Sequence, residues 1–183
     1  LAYNVTEYFP TAPVTFEAWI KVPANMPNNT RGGVIFGNYC QGNTKNIDYE
    51  LVENGRLKYG VNRSANSESS VDFAVTFNHD FRTGEWTHLA VVRNTANKTL
   101  SLYVNGVLEP TVADSDYNAD SYSTYRVGFN RANWTTKRPF QGEIHSVAVY
   151  GDVRTAEEVA ADMNAVNASD ADLYGYWDLT GVQ

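Results

Sequence analysis

Apolar and polar residues alternate along most of this chain with a period of two. In residues 14–22, Val14, Phe16, Ala18, Ile20 and Val22 fall on one parity and Thr15, Glu17, Trp19 and Lys21 on the other. That is the pattern of a β-strand with one buried face. Residues 71–78 repeat it, with Val71, Phe73, Val75 and Phe77 set against Asp72, Ala74 and Thr76. The run from Gly84 to Glu109 is the centre of the pattern. Leu100, Leu102 and Val104 alternate with Thr99, Ser101 and Tyr103, whereas residues 86–93 are apolar on both parities. The second feature predicts an interior strand covered on both faces. Residues 94–97 (NTAN) join these two strands, and Asn105-Gly106 closes the next hairpin, because both tolerate the positive φ of a type I′ turn.

Further strands are predicted at residues 33–38, 47–52, 56–61, 124–130 and 139–150, with a hairpin turn at Asn54-Gly55. Residues 173–179 read as a last strand, placed beside the N-terminal segment. Thr155-Ala156-Glu157-Glu158 is a capping box that opens a short helix with Val159, Met163 and Val166 on one face. The sum is an all-β, antiparallel, two-sheet sandwich with one short C-terminal helix. If every strand reverses, the loops collect alternately at two ends. Residues 39–46, 62–70, 94–98 and 112–122 share one end. Residues 23–31, 54–55, 79–85, 105–106 and 131–138 share the other.

Composition narrows the function. At 183 residues the chain forms a single domain large enough to fold without staples, and its lone Cys40 cannot make an internal disulfide. A net charge of −7 argues against nucleic acid and anionic membrane surfaces as partners. No apolar run approaches membrane-spanning length. A start at Leu1, with no Met and no signal peptide, reads as the cut edge of a larger protein.

Three segments in order carry a resemblance. They are VTFEAWIK at residues 14–21, GEWTHLAVVR followed by LSLYVNG within residues 84–106, and FQGEI with VAVY within residues 140–150. Together the chain resembles the laminin G-like jelly rolls of the concanavalin A-like lectin/glucanase superfamily. The resemblance departs at His145, where that family often carries an acid. It implies a jelly-roll sandwich and an extracellular, secreted or cell-surface module that binds carbohydrate. Glucanases of the superfamily set their carboxylates on one strand as E-x-D-x-x-E, and Asp48-Tyr49-Glu50-Leu51-Val52-Glu53 comes near it. Here Glu53 has the opposite parity to Glu50 and falls in a turn, so catalytic residues are expected to be none.

Asp114, Asp116, Asn118 and Asp120 place oxygen donors at alternate positions, a pattern suited to Ca²⁺, set against the alternative of a solvated acidic loop. Trp134 among Arg131, Lys137 and Arg138 is a platform for a sugar ring or a cap on the sandwich. Tyr39, Asn43, Tyr117 and Tyr122 are the loop residues expected to join it in ligand binding. His88 reads as a packed imidazole, and Trp19 as packing beneath a loop or the helix. The expectation is a monomeric, non-catalytic, glycan-binding module of a larger protein, such as a glycoside hydrolase. The alternatives are a laminin-G-type protein-binding adhesion module and a structural spacer beside a hydrolase.

Overall fold

The computed structural model describes residues 3–5, 14–37, 46–62, 73–114, 125–128 and 138–181. The chain runs through β1 (Tyr3–Val5), β2 (Thr15–Lys21), β3 (Gly33–Gly37), β4 (Asn46–Leu51), β5 (Arg56–Asn62) and β6 (Phe73–Asp80). It continues through β7 (Trp86–Asn94), β8 (Thr99–Val104), β9 (Val107–Leu108), β10 (Val112–Ala113), β11 (Tyr125–Val127) and β12 (Glu143–Tyr150). Helix α1 (Ala156–Asp162) and β13 (Leu173–Asp178) follow. One antiparallel sheet has the order β1-β11-β3-β4-β5-β6, and the other β10-β8-β7-β2-β12-β13, with β9 also on β8. The sandwich expected from the alternation is therefore the fold.

The core lies between the sheets. Phe16, Ala18 and Ile20 of β2, Leu89 and Val91 of β7, and Val147 and Val149 of β12 enter it from one side. Phe36, Tyr49, Leu51, Leu57, Tyr59, Phe77 and Tyr125 enter from the other. Phe16 ties the two sheets together, its ring stacking on Tyr49 at 4.1 Å and on Phe36 at 5.4 Å. Offset stacking of this kind adds about 1 kcal/mol to the area term. The other face of β7 is also covered, because Val159 of α1 packs on Ala90, Val92 and Tyr103. The helix opens with the expected box, in which Thr155 accepts the Glu158 N–H and the Glu158 carboxylate accepts the Thr155 N–H.

Both predicted hairpin turns form with left-handed residues, Asn54 and Gly55 at φ 63° and 65°, and Asn105 and Gly106 at φ 49° and 77°. Four readings need correction. β12 begins at Glu143, because residues 138–142 spend their hydrogen bonds on the opposite sheet, with Gln141 N–H on Gly32 O and Phe140 N–H on Gly128 O. Of the predicted 124–130, Tyr125–Val127 forms β11 and Gly128 already leaves the strand, while residues 124, 129 and 130 lie outside the described residues. β13 pairs with β12, while the N-terminal strand pairs with β11 in the other sheet. Trp177 explains this, since its register with Val147 turns its ring toward the core. Last, β7 is covered on both faces only from Thr87 onward, and its first residue, Trp86, is 40% exposed.

The described loops obey the alternation. At one end Asn54 N–H binds Asn28 O, Phe81 N–H binds Gly55 O, and Gly84 N–H binds Val22 O. At the opposite end Asp114 N–H binds Lys98 O.

Candidate functional site

Strand register assembles an open cleft at the first of these ends. Lys21 closes β2 and pairs with both Trp86 of β7 and Glu143 of β12, so three side chains share one row on the outer face. A β-bulge between Ile144 and Ser146 leaves His145 without a partner on β2. Bulges re-aim side chains, and this one brings the imidazole edge-on to Trp86, with centroids 5.7 Å apart and planes at 77°. Leu179 N–H binds the His145 carbonyl at 2.8 Å and carries the chain beyond β13 across the cleft. Thr180 is fixed there through Asp178, whose carboxylate accepts both its N–H and its hydroxyl.

The resulting cavity of about 420 Å³ is lined by Trp86, Phe140, Glu143, Ile144, His145 and Thr180, among others. Phe140, Ile144 and Leu179 form an apolar floor that also packs on the core. A shallower depression, lined by Lys21, Asn25, Gly84 and Gln141 among others, adjoins it and shares Phe140 and Glu143. Lys21 and Glu143 form an exposed ion pair at 3.7 Å between the two. The chemistry is mixed: one flat aromatic face, an indole N–H, an imidazole, a carboxylate and a hydroxyl around apolar ground. Ligand sites combine apolar walls with a few convergent polar groups in this way.

The carboxylate strand resembling the glucanase motif lies elsewhere. Tyr49 and Leu51 of β4 face the core, which puts Asp48 and Glu50 on the outer face of the six-stranded sheet. Glu53 sits in the following 3₁₀ turn (Glu53–Gly55) and meets Arg31 at 3.3 Å. Glu50 is fully buried, and Lys58, Arg31 and Arg138 all form ion pairs with it.

Of the residues expected to bind ligand or metal, Tyr39, Asn43, Tyr117, Tyr122, Trp134, Asp116, Asn118 and Asp120 lie outside the described residues. Asp114 lies within them. Its Oδ2 is 2.7 Å from Arg93 Nε, and its Oδ1 is buried without a hydrogen bond. No three His, Cys, Asp or Glu side chains gather for a metal among the described residues. His88 is the packed imidazole expected, 3.3 Å from Glu17 and 5.3 Å from the Trp19 ring. Trp19 lies under the helix end and donates its indole N–H to Met163 O. The residues not anticipated are Trp86, Glu143, His145 and Thr180. Trp86 read as one more apolar residue of β7. Its legible signal is position, since it follows Thr83-Gly84-Glu85 and has Lys21's parity, where a strand emerges into solvent.

The laminin G-like family profile of the concanavalin A-like lectin/glucanases superfamily matches residues 2–160. The chain belongs to this family. No curated protein sequence matches the chain. Among solved structures, this laminin G-like chain is similar to a candidate carbohydrate-binding protein from Bacteroides ovatus, with TM-score 0.71 and 18% identity. The match covers 99% of this chain and 50% of that one, so the laminin G-like chain spans half of its relative's length. It is also similar to the CBM40 of the Ruminococcus gnavus IT-sialidase bound to α2,3 sialyllactose. There the TM-score is 0.65 at 19% identity, with 88% of this chain and 91% of that chain covered. Domains LG4-5 of the mouse laminin α1 chain match with TM-score 0.58 at 14% identity, over 86% of this chain and 40% of theirs. At these identities the likeness is one of fold.

Proposed function

We propose that this domain is a non-catalytic, extracellular carbohydrate-binding module that holds a glycan in the Trp86 cleft. The observation that carries the proposal is the half-exposed indole beside Glu143, His145 and Thr180 over an apolar floor. A pyranose presents apolar C–H patches between hydroxyls. Removing it from water therefore needs a ring face for the first and donors or acceptors for the second. Two structural neighbours whose names refer to carbohydrate support the same reading.

Two features argue against hydrolysis. Glycosidases flank the scissile bond with two carboxyl groups, and among the described residues that line the cleft Glu143 supplies the one carboxylate. At the β4 strand both Glu50 oxygens are already taken by cationic side chains. Glu50→Gln and Glu143→Gln are expected to leave no hydrolytic rate to lose. A β-glucan cleaved by wild type and spared by either variant would overturn that statement. Calcium is proposed at Asp116, Asn118 and Asp120, with Asp114 given instead to Arg93.

The test of binding is a glycan array probed with wild type and Trp86→Ala. The expected result is binding to at least one glycan that falls at least tenfold in the variant, with the melting temperature unchanged. A silent array for the folded wild type would refute the proposal.

A further inference from the structure

Glu50 is compensated more heavily than its single charge requires. Lys58, from the neighbouring strand β5, already hydrogen-bonds to Oε2 of this fully buried carboxylate. Arg31 Nη1 then reaches Oε1 at 3.3 Å, and Arg138 Nη1 reaches Oε1 and Oε2 at 3.2 Å. A buried carboxylate needs a partner to offset its desolvation, and Lys58 is one. The two guanidiniums are surplus to that need, and they converge on the same oxygen.

Both arginines are held there by the backbone. The Arg138 carbonyl accepts the Val34 N–H at 3.1 Å, and Pro139 abuts Gly33, where an added Cβ would stand 2.0 Å from the Pro139 oxygen. Arg138 itself has φ 44° and precedes a proline, a position where left-handed backbone is strained for a residue with a side chain. Strain of this kind persists where the surroundings over-determine it. Here it delivers a guanidinium to a spot that already has a cation. Arg31 lies beside Gly32, whose carbonyl accepts the Gln141 N–H, so the same segment pins both arginines.

Within this ion-paired cluster the cationic groups outnumber the anionic ones, against the sign of the whole chain. Arg31, Lys58 and Arg138 face Glu50 and Glu53, leaving one positive charge in excess on a molecule of net charge −7. The side chains of Arg31 and Arg138 are 42% and 30% exposed, while Glu50 is sealed at 0%. Each guanidinium offers five N–H donors in a fixed fork. Arg138 gives only Nη1 to Glu50, and Arg31 gives Nη1 to Glu50 and Nε to Glu53.

We infer that Arg31 and Arg138 form an anion subsite for the carboxylate or sulfate group of an acidic saccharide. Glu50 serves as the buried anchor that aligns the two forks. The inference rests on the glycan reading and adds a second contact on the other sheet. Glu50 lies on the outer face of the six-stranded sheet, and Phe140, Gln141, Gly142 and Glu143, which follow Arg138 in the chain, lead from there to the Trp86 cleft and its neighbour, which they line.

The test measures melting temperature with glucuronate, glucose and inorganic sulfate at matched ionic strength, for wild type, Arg31→Gln, Arg138→Gln and Trp86→Ala. Glucuronate or sulfate is expected to raise the wild-type melting temperature above the matched chloride control. Either arginine substitution should remove at least half of that increment, and Trp86→Ala should retain it. A response to glucuronate identifies a carboxylate ligand, and a response to sulfate alone identifies a sulfated one. Equal increments in wild type and both arginine variants, or none in wild type, would overturn the subsite. Should Arg138→Gln fail to fold, the more exposed Arg31→Gln decides. Neutral glycans that bind through Trp86 with no arginine-dependent preference for acids would remove this inference and leave the glycan reading intact. An arginine-dependent increment beside a silent glycan array would remove the glycan reading and the saccharide with it, and leave Arg31 and Arg138 as a site for a free anion.

Discussion

Asp114 shows how a single contact changes the meaning of a residue. By spacing alone it is the first oxygen of an alternating set. In the fold its carboxylate lies 2.7 Å from Arg93, with side chains 2% and 7% exposed. Removing one member of a buried ion pair costs about 3 kcal/mol. Asp114→Ala is therefore expected to lower the melting temperature by a similar amount in calcium and in chelator. A loss confined to the calcium sample would return Asp114 to the metal. Glu17 makes a different kind of test. It lies 2% exposed between the outer sheet face and α1, and its burial raises the carboxyl above the usual range while His88 pulls the other way. Asp162 raises it a little further, and Arg154 lowers it. A raised folded value favours the protonated form, so its stabilising contribution is complete below the ordinary carboxylate pKa of 4.5 and declines as pH rises through the folded value. Glu17→Gln should thus flatten the decline in stability above that pH, measured by melts from pH 4 to 8. Parallel curves for wild type and variant would show that Glu17 is not the titrating group.

At the scale of elements, the strands were legible wherever one face is buried, because burial forces the period-two pattern. Residues 14–22, 86–93 and 99–104 gave up their strand character, and the first and last of these their core parity, for that reason. Residues 139–142 did not, because their hydrogen bonds go to Gly32 and Gly128 across the sandwich, a long-range choice that no local pattern records. The Trp86 cleft was illegible for a related cause: it needs the β12 bulge, the strand ends of β2 and β7, and the chain after β13 in one place. Two glycines separate local from long-range effects. Gly106 has φ 77°, and its nearest neighbour to an added Cβ is Met163 Cε at 3.8 Å, so Gly106→Ala carries only the backbone cost of about 1 kcal/mol. Gly33 has φ 84° and also meets the Pro139 carbonyl, so Gly33→Ala should cost at least about 2 kcal/mol more in chemical denaturation. Equal losses would mean that residues 138–140 do not press on Gly33 in solution.

For the whole molecule, a sandwich of the lectin superfamily carries an open cleft at a loop end. The net charge of −7 argues against nucleic acid as partner, while the choice of glycan reading over adhesion module or spacer depends on Trp86. Its position also permits a direct measurement. The chain has four tryptophans, Trp19, Trp86, Trp134 and Trp177, and therefore four indole N–H signals in a nitrogen-15 NMR spectrum. Titration with a glycan selected on the array should shift the Trp86 indole progressively to saturation, and leave Trp19 unmoved with its N–H on Met163 O. Saturable glycan binding that leaves the Trp86 signal in place, or moves Trp134 alone, would contradict the account.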